Sequence, residues 1–434
     1  MLKSQFLIGA TASGSGKTTF TLGLLRAFRN RAMKVQPFKC GPDYLDTKHH
    51  EAAAGQVSYN LDTFLGSDNH VREIYARHCE QADICITEGV MGLFDGYDKM
   101  QGSSAEIAAL LHLPVILIIN AKSSAYTVAA ILYGFKHFRP EISIVGVIFN
   151  FVGSELHYDY LKQACCDAGV EALGYLPKCK DIEIPSRHLG LNIDPKFCFD
   201  AFADRIATQI EATVNLQRLL EITAVSVFPS FKSTVSTAKT TAHPLRISVA
   251  YDEAFNFIYP ENIRVLEKKG RITYFSPIHD KGLPPSDFVY LPGGYPELHL
   301  PQLSQNESMR QSVFNYCRQQ GHLFAECGGM MYLCEYIQNE QGTIYPMCSF
   351  LPQGASLENM KLRMGYRKII IGNQEWRGHE FHYSKIIPGA QPLPSIAKVV
   401  NAKNMETDTP VYKVNRVVAS YIHFYWGEQT ILEI

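Results

Sequence analysis

Along the first half of the chain, short unbroken apolar runs alternate with longer stretches in which apolar and polar positions recur at helical spacing. Phe6 to Ala10, Lys34 to Phe38, Ala82 to Thr87, Pro114 to Asn120 and Ile144 to Asn150 are rich in Val, Ile and Phe and read as strands. Continuous apolar character of this sort belongs to parallel strands covered on both faces. Thr18 to Arg29 and Ala105 to Leu111 read as amphipathic helices between them. The series predicts an α/β domain with a mostly parallel sheet.

The pattern fails between about Val225 and Pro244, where FPSFKSTVSTAKTTAHP is rich in Ser, Thr, Lys and Pro and poor in large apolar side chains. This predicts a linker over 225–244 between a domain of residues 1–224 and a second of residues 245–434. The second domain again reads α/β. Strands are expected at Arg246 to Tyr251, Phe288 to Leu291 and His322 to Glu326, followed by a helix from Gly328 to about Tyr336.

Composition narrows the class of partner. A formal net charge of -1 over 434 residues supplies no basic field for nucleic acid, so a small-molecule substrate is expected. No apolar stretch approaches the roughly 18 to 20 residues of a membrane span, and the first residues lack the long apolar core and cleavage site of a signal peptide. The 11 cysteines are odd in number and scattered without paired spacing, which suits a reducing, cytoplasmic setting. Oligomeric state is left open, a homo-oligomer included.

Two local patterns carry chemistry. In the first, the strand Phe6 to Ala10 runs into Thr11-Ala12-Ser13-Gly14-Ser15-Gly16-Lys17-Thr18-Thr19 and then a helix, the context of a phosphate loop. Backbone N–H groups of Gly14, Ser15 and Gly16 would curl around phosphate oxygens of ATP, with Lys17 on the β and γ phosphates and Thr18 reaching Mg²⁺. The strict pattern wants glycine where Thr11 stands, so the loop fits the wider family with a relaxed first position. A Gly/Ser-rich turn capping a helix is the bland alternative. Glu88, beside the buried run ending at Thr87, and Asp43 and Asp46, after the second strand, are candidate carboxylates for the metal. Either aspartate could equally be a loop cap.

The second pattern, His322-Leu323-Phe324-Ala325-Glu326-Cys327-Gly328-Gly329, is a strand ending in a cysteine followed by two glycines and a helix, a nucleophile elbow with cysteine in place of serine. A histidine partner and the helix end are expected to lower the thiol pKa. His423, at the end of a C-terminal apolar run, is the candidate base, although a lone histidine there is commonly structural. Gly293 and Gly294, after another strand, could offer an oxyanion donor together with Gly328, or form a plain turn.

With these residues in place, the chain resembles the cobyrinic acid a,c-diamide synthase family over nearly its whole length. The resemblance rests on Gly41-Pro42-Asp43-Tyr44-Leu45-Asp46, on Glu88-Gly89-Val90-Met91-Gly92-Leu93-Phe94-Asp95-Gly96 and on Asp252 to Asn262. It extends through Leu291 to Leu298, the cysteine elbow and Gly378-His379-Glu380-Phe381-His382-Tyr383-Ser384. It implies an N-terminal phosphate-loop domain similar to dethiobiotin synthetase and a C-terminal domain similar to class I glutamine amidotransferases. The implied reaction amidates the a and c acetate side chains of cobyrinic acid with ATP and glutamine, Cys327 attacking glutamine and His423 assisting. Asp43, Tyr44, Leu45, Asp46 and Asp95 are then candidates for handling the substrate or its activated carboxylate. One departure stands out: class I amidotransferases carry glutamate two residues after the histidine, and Tyr425 occupies that position. A Cys–His pair, slow when isolated, is therefore expected.

His379, Glu380 and His382 invite a metal-site reading, but neighbours in a strand point to opposite faces, which favours a structural or interface role. Within tetrapyrrole amidation, hydrogenobyrinic acid and nickel sirohydrochlorin are alternative substrates. Cobyric acid synthases usually show Gly-Tyr-Glu-Ile-His where this chain has Gly378 to His382, which argues against that branch. A reading from another class is a nucleotide-dependent switch carrying an inert amidotransferase-like domain, but retention of both Cys327 and His423 counts against it.

Overall fold

The computed structural model describes residues 2–178, 198–226 and 244–429. These form two compact units, one from residues before the linker stretch and one from residues after it, the latter joined by Phe64–Gly66. Residues 227–243 of the expected linker lie outside the described residues. Val225 and Ser226, placed in that linker by composition, instead belong to a short strand, Ala224–Ser226, which pairs antiparallel with Leu2–Ser4. Backbone pairing to an existing strand outweighs the weak local pattern there.

The first unit is built on one sheet. Its strands lie in the order Tyr59–Leu61, Val35–Cys40, Ile84–Glu88, Leu2–Ala10, Val115–Asn120, Ile144–Val152, Glu171–Pro177, all parallel. Alternate residues of the central strands feed two separate cores. Phe6, Ile8, Ile84, Ile86, Ile116 and Ile118 enter one, and Leu7, Cys85, Val115, Leu117 and Ile119 the other. Both faces are thus covered, which is why these strands read as unbroken apolar runs. At the C-terminal ends of the strands, where open α/β sheets bind ligands, the chain turns into the phosphate loop and the loops after Cys40 and Glu88.

The second unit has a six-stranded sheet in the order Gly270–Phe275, Leu245–Ala250, Phe288–Leu291, His322–Glu326, Val417–Ser420, Val411–Val414, parallel except for the last strand. Here too the sides alternate: Val289 and Leu291 enter one core, Phe288 and Tyr290 another. Two four-stranded sheets were not foreshadowed by the apolar pattern. One contains Cys334–Gln338 and Leu351–Ser356; the other orders Lys398–Asn401, Arg363–Ile371, Gln374–His382 and Ile422–Tyr425. The helix expected from Gly328 to about Tyr336 stops at Leu333. Cys334–Gln338 is a strand instead, because it buries Cys334 and Ile337 while its backbone pairs with Leu351–Ser356.

Candidate active sites

The phosphate loop joins strand Leu2–Ala10 to helix Lys17–Asn30. Its curvature depends on Gly14 and Gly16, at φ 74° and 98°. A Cβ on Gly16 would overlap the side-chain amide of Asn150, which donates to the Ser15 carbonyl at 3.0 Å. Ser15 in turn donates its hydroxyl to Ala12 O at 2.8 Å. Thr11 explains the relaxed first position: it is outside the left-handed region, so a side chain there carries no backbone strain.

Lys17 donates to the Met91 carbonyl, and the Thr18 hydroxyl donates to Glu88 Oε1 at 2.8 Å. With Thr19, Lys39, Asp43, Asp46 and Asn150 they line a cleft of about 720 Å³. Burial, then the nearby Lys39 charge, lower the Lys17 pKa.

Glu88 closes strand Ile84–Glu88 and is fully buried. Lys39 Nζ lies 2.8 Å from its Oε1 and His50 Nε2 lies 2.6 Å from its Oε2. Lys39 also reaches Asp46 Oδ2 at 2.8 Å. Burial alone would push the Glu88 carboxyl up; Lys39 and His50 outweigh it and hold the group below the usual carboxylate range. Burial likewise opposes the Lys39 charge, but Asp46 and Glu88 overcome it and raise that pKa. Asp43 is pushed up to about 6 by burial and by Asp46. Its Oδ1 accepts the N–H groups of Leu45 and Asp46 at 2.8 and 2.7 Å, so it caps helix Leu45–Ala54 while also lining the cleft. Asp95 Oδ2 accepts the Gly92 N–H at 3.0 Å. Tyr44, Leu45 and Asp95 are not among the residues lining the cleft.

In the second unit, Cys327 has φ 45° and ψ -107°, a strained conformation for a residue with a side chain. Its N–H donates to Ser420 O at 2.7 Å, fastening the elbow to the neighbouring strand. A Cβ on Gly329 would overlap the Leu291 carbonyl, and one on Gly328 would stand 3.2 Å from the Gly294 nitrogen. A Cβ on Gly293 would overlap the His423 imidazole. Both glycine pairs are therefore required by close approach, and together they gather the elbow, the Gly294 N–H and His423.

The expected low thiol pKa is not found. Burial, then Glu297, push the Cys327 thiol well above its ordinary range, and the thiol donates to Phe381 O at 3.8 Å. His423 is wholly buried, opposite His379 in the sheet register. Burial, then His379 and His382, lower its pKa to about 3. Burial, the largest cause in both cases, thus favours the neutral thiol of Cys327 and the neutral imidazole of His423, against the opposing influences of the Gly328 N–H and Glu380. Tyr425 is buried with its ring centroid 5.3 Å from that of Tyr259.

Glu380 is paired with Arg367 and with His382, each at 2.7 Å, and accepts the Thr409 hydroxyl at 2.7 Å. His382 stacks on Tyr421 at 3.7 Å between centroids. Among the described residues no group of three or more His, Cys, Asp or Glu is placed to hold a metal by itself. Sequence reasoning missed Lys39, His50 and Asn150. A lone cation in the buried run Val35–Cys40 was a usable signal for the first, and the one-turn spacing from Asp46 for the second. Nothing local marked the third.

Among the described residues no helix is long and apolar enough to cross a membrane. Residues 6–191 match the CobQ/CobB/MinD/ParA nucleotide binding domain family, and residues 246–431 the CobB/CobQ-like glutamine amidotransferase domain family. Cobyrinate a,c-diamide synthase of Salmonella typhimurium is 38% identical over 440 residues, covering 98% of this chain and 95% of that protein. The protein of that name from Syntrophotalea carbinolica is 38% identical, with 98% and 96% covered. Hydrogenobyrinate a,c-diamide synthase of Pseudomonas aeruginosa is 36% identical, with 96% and 94% covered.

Proposed function

The chain belongs to the cobyrinate a,c-diamide synthase family, and we propose that it converts the a and c carboxylates of cobyrinic acid to amides, with ATP and with ammonia released from glutamine. One observation carries the proposal: a phosphate loop tied to a buried carboxylate, Thr18 to Glu88, and a strained cysteine elbow, Cys327, occur in one chain that aligns along almost its whole length with such enzymes.

In the first unit the substrate carboxylate would attack the γ phosphorus of ATP, expelling ADP and forming an acyl phosphate. Ammonia would then attack the acyl carbon and expel phosphate, a step the free carboxylate resists because it lacks a good leaving group. Lys17 and Lys39, which line the cleft, would offset charge on the transferred phosphoryl group, where electrostatics and positioning dominate catalysis. Thr18 and Glu88, with Asp43 nearby, would hold the magnesium that accompanies ATP. An all-oxygen set with few protein carboxylates suits a hard cation that takes its remaining ligands from phosphate and water. Magnesium would supply further neutralisation of the phosphates.

In the second unit His423 would take the thiol proton as Cys327 Sγ attacks the glutamine side-chain carbonyl. The N–H groups of Gly294 and Gly328 would receive the oxyanion, ammonia would leave, and water would release glutamate from the thioester. A cytoplasmic enzyme is the setting this chemistry fits.

The test is to supply purified protein with ATP, glutamine and cobyrinic acid and to weigh the products. Two new amides per macrocycle are expected. Hydrogenobyrinic acid belongs in a parallel arm, since a relative of nearly equal identity carries that name. Inertness toward both macrocycles would overturn the proposal.

A further inference from the structure

Class I amidotransferases orient the histidine with a carboxylate two residues later in the chain, and here that position is Tyr425. A carboxylate nevertheless stands beside His423. Glu326, the last residue of strand His322–Glu326 and the immediate neighbour of Cys327, is buried, and its Oε2 lies 3.9 Å from His423 Nδ1.

Both of its oxygens are fixed. Oε1 accepts the N–H of Phe424, the residue after His423, at 2.9 Å, and Oε2 accepts the Tyr290 hydroxyl at 2.6 Å. The carboxylate is thereby tied to the backbone that carries the histidine and to the strand that leads into Gly293 and Gly294. The other charged groups around His423 are engaged or of the wrong sign. Glu380 is paired with Arg367 and His382, while His379 and His382 oppose a positive charge on the ring. Among the described residues Glu326 has no lysine or arginine partner within ion-pair distance.

We propose that Glu326 is the positioning residue of the glutaminase: it sets the His423 ring from the Nδ1 side and, in its ionised form, steadies the imidazolium formed when His423 accepts the Cys327 proton. This rests on the glutaminase reading of Cys327 and His423. The carboxylate arrives from the nucleophile's own strand instead of the histidine's, which is why the spacing after the histidine does not reveal it. Burial pushes the Glu326 carboxyl up to about 8. A buried acid of this kind ionises more readily once a positive charge arises beside it, so its charge follows that of the imidazolium.

The experiment measures glutamate formation by the full-length protein with ATP and macrocycle present, for wild type, Cys327→Ala, Glu326→Gln, Glu326→Asp and Tyr290→Phe. The chain's two tryptophans, Trp376 and Trp426, are both buried in the second unit. Their fluorescence counts the folded fraction of that unit, and rates are expressed per folded molecule. Glu326→Gln is expected to lower kcat roughly 100-fold, the scale of general acid–base assistance, with the glutamine KM changed less than about threefold. Glu326→Asp should recover part of the loss, and Tyr290→Phe, which keeps the carboxylate but frees the oxygen that faces His423, should lose activity by clearly less than Glu326→Gln. An unimpaired Glu326→Gln would overturn the proposal while leaving the glutaminase reading intact. So would a Tyr290→Phe loss equal to that of Glu326→Gln, since Glu326 would then be a strut between strands. An active Cys327→Ala would overturn both.

Discussion

Replacing Lys39 by methionine keeps an unbranched stem and removes a buried charge on which three carboxylates depend. In the wild-type chain the ammonium stands 2.8 Å from both Glu88 Oε1 and Asp46 Oδ2, and its Coulomb field also reaches Asp43. At an effective dielectric constant of about 20, one such pair attracts by roughly 6 kcal/mol, most of it offset by desolvation of the two ions. Deleting one partner while the other stays buried is the costly case, about 3–5 kcal/mol. That is the expected loss of stability of the first unit at pH 8. The pH dependence follows from the direction of the shifts. In wild type, Lys39 and its companions hold Glu88 and Asp46 below their ordinary pKa, so their stabilisation is present above the usual carboxylate range and fades as pH falls. Without Lys39, burial is opposed by less, both carboxyls move up, and they protonate at higher pH. The gap between variant and wild type should therefore narrow from pH 8 to pH 5. Urea unfolding followed by far-UV circular dichroism reads both units, while tryptophan fluorescence reads the second alone and should not move, so the first unit is read from the part of the dichroism transition that the fluorescence does not share. A loss below about 1 kcal/mol, well short of the cost of breaking a buried pair, or a loss equal at both pH values, would refute the reasoning.

Cys327→Ala should abolish glutamine-dependent amidation and retain amidation driven by added ammonium salts, as quantified by amide formation; loss of both would tie the cysteine to the fold instead. Gly16→Ala should weaken ATP binding at least tenfold by titration calorimetry. The new Cβ meets the Asn150 amide at a backbone φ of 98°, and left-handed conformations already cost side-chain-bearing residues about 1–2 kcal/mol. Unchanged affinity would mean that the loop rearranges freely. Alkylation of Cys327 by iodoacetamide in the absence of glutamine should be slow at pH 7 and rise about tenfold per pH unit to pH 9, because burial keeps the thiol protonated. The rate is followed by mass spectrometry of the Cys327 peptide, since Cys166 and Cys198 are exposed and react independently. A plateau below pH 8 would reveal a preformed thiolate.

What could be read from the sequence and what could not divide along one physical line. The phosphate loop and the cysteine elbow are each a strand, a tight turn and a helix in unbroken succession, so their geometry is set by adjacent residues and their glycines announce it. The groups that tune them come from far along the chain. His50 meets Glu88 across 38 positions, Asn150 meets Ser15 across 135, and Phe424 meets Glu326 across 98. Such pairings are decided by strand order and register, which no local pattern encodes. The same line explains the thiol. An adjacent histidine and a helix end predict a lowered pKa only where solvent remains. Here Cys327 is buried, with Phe381 O accepting from its thiol and Glu297 adding a like-charge influence, and together these outweigh the lowering by the Gly328 N–H at the helix end. On the proposed glutaminase reading the nucleophile is strained in its backbone yet quiet in its charge, which would suit an enzyme whose ammonia is useful only when a carboxylate has been activated. Proton transfer to His423 would then be drawn out by the bound glutamine, and the proposed role of Glu326 on the Nδ1 side would be to lower the cost of that transfer.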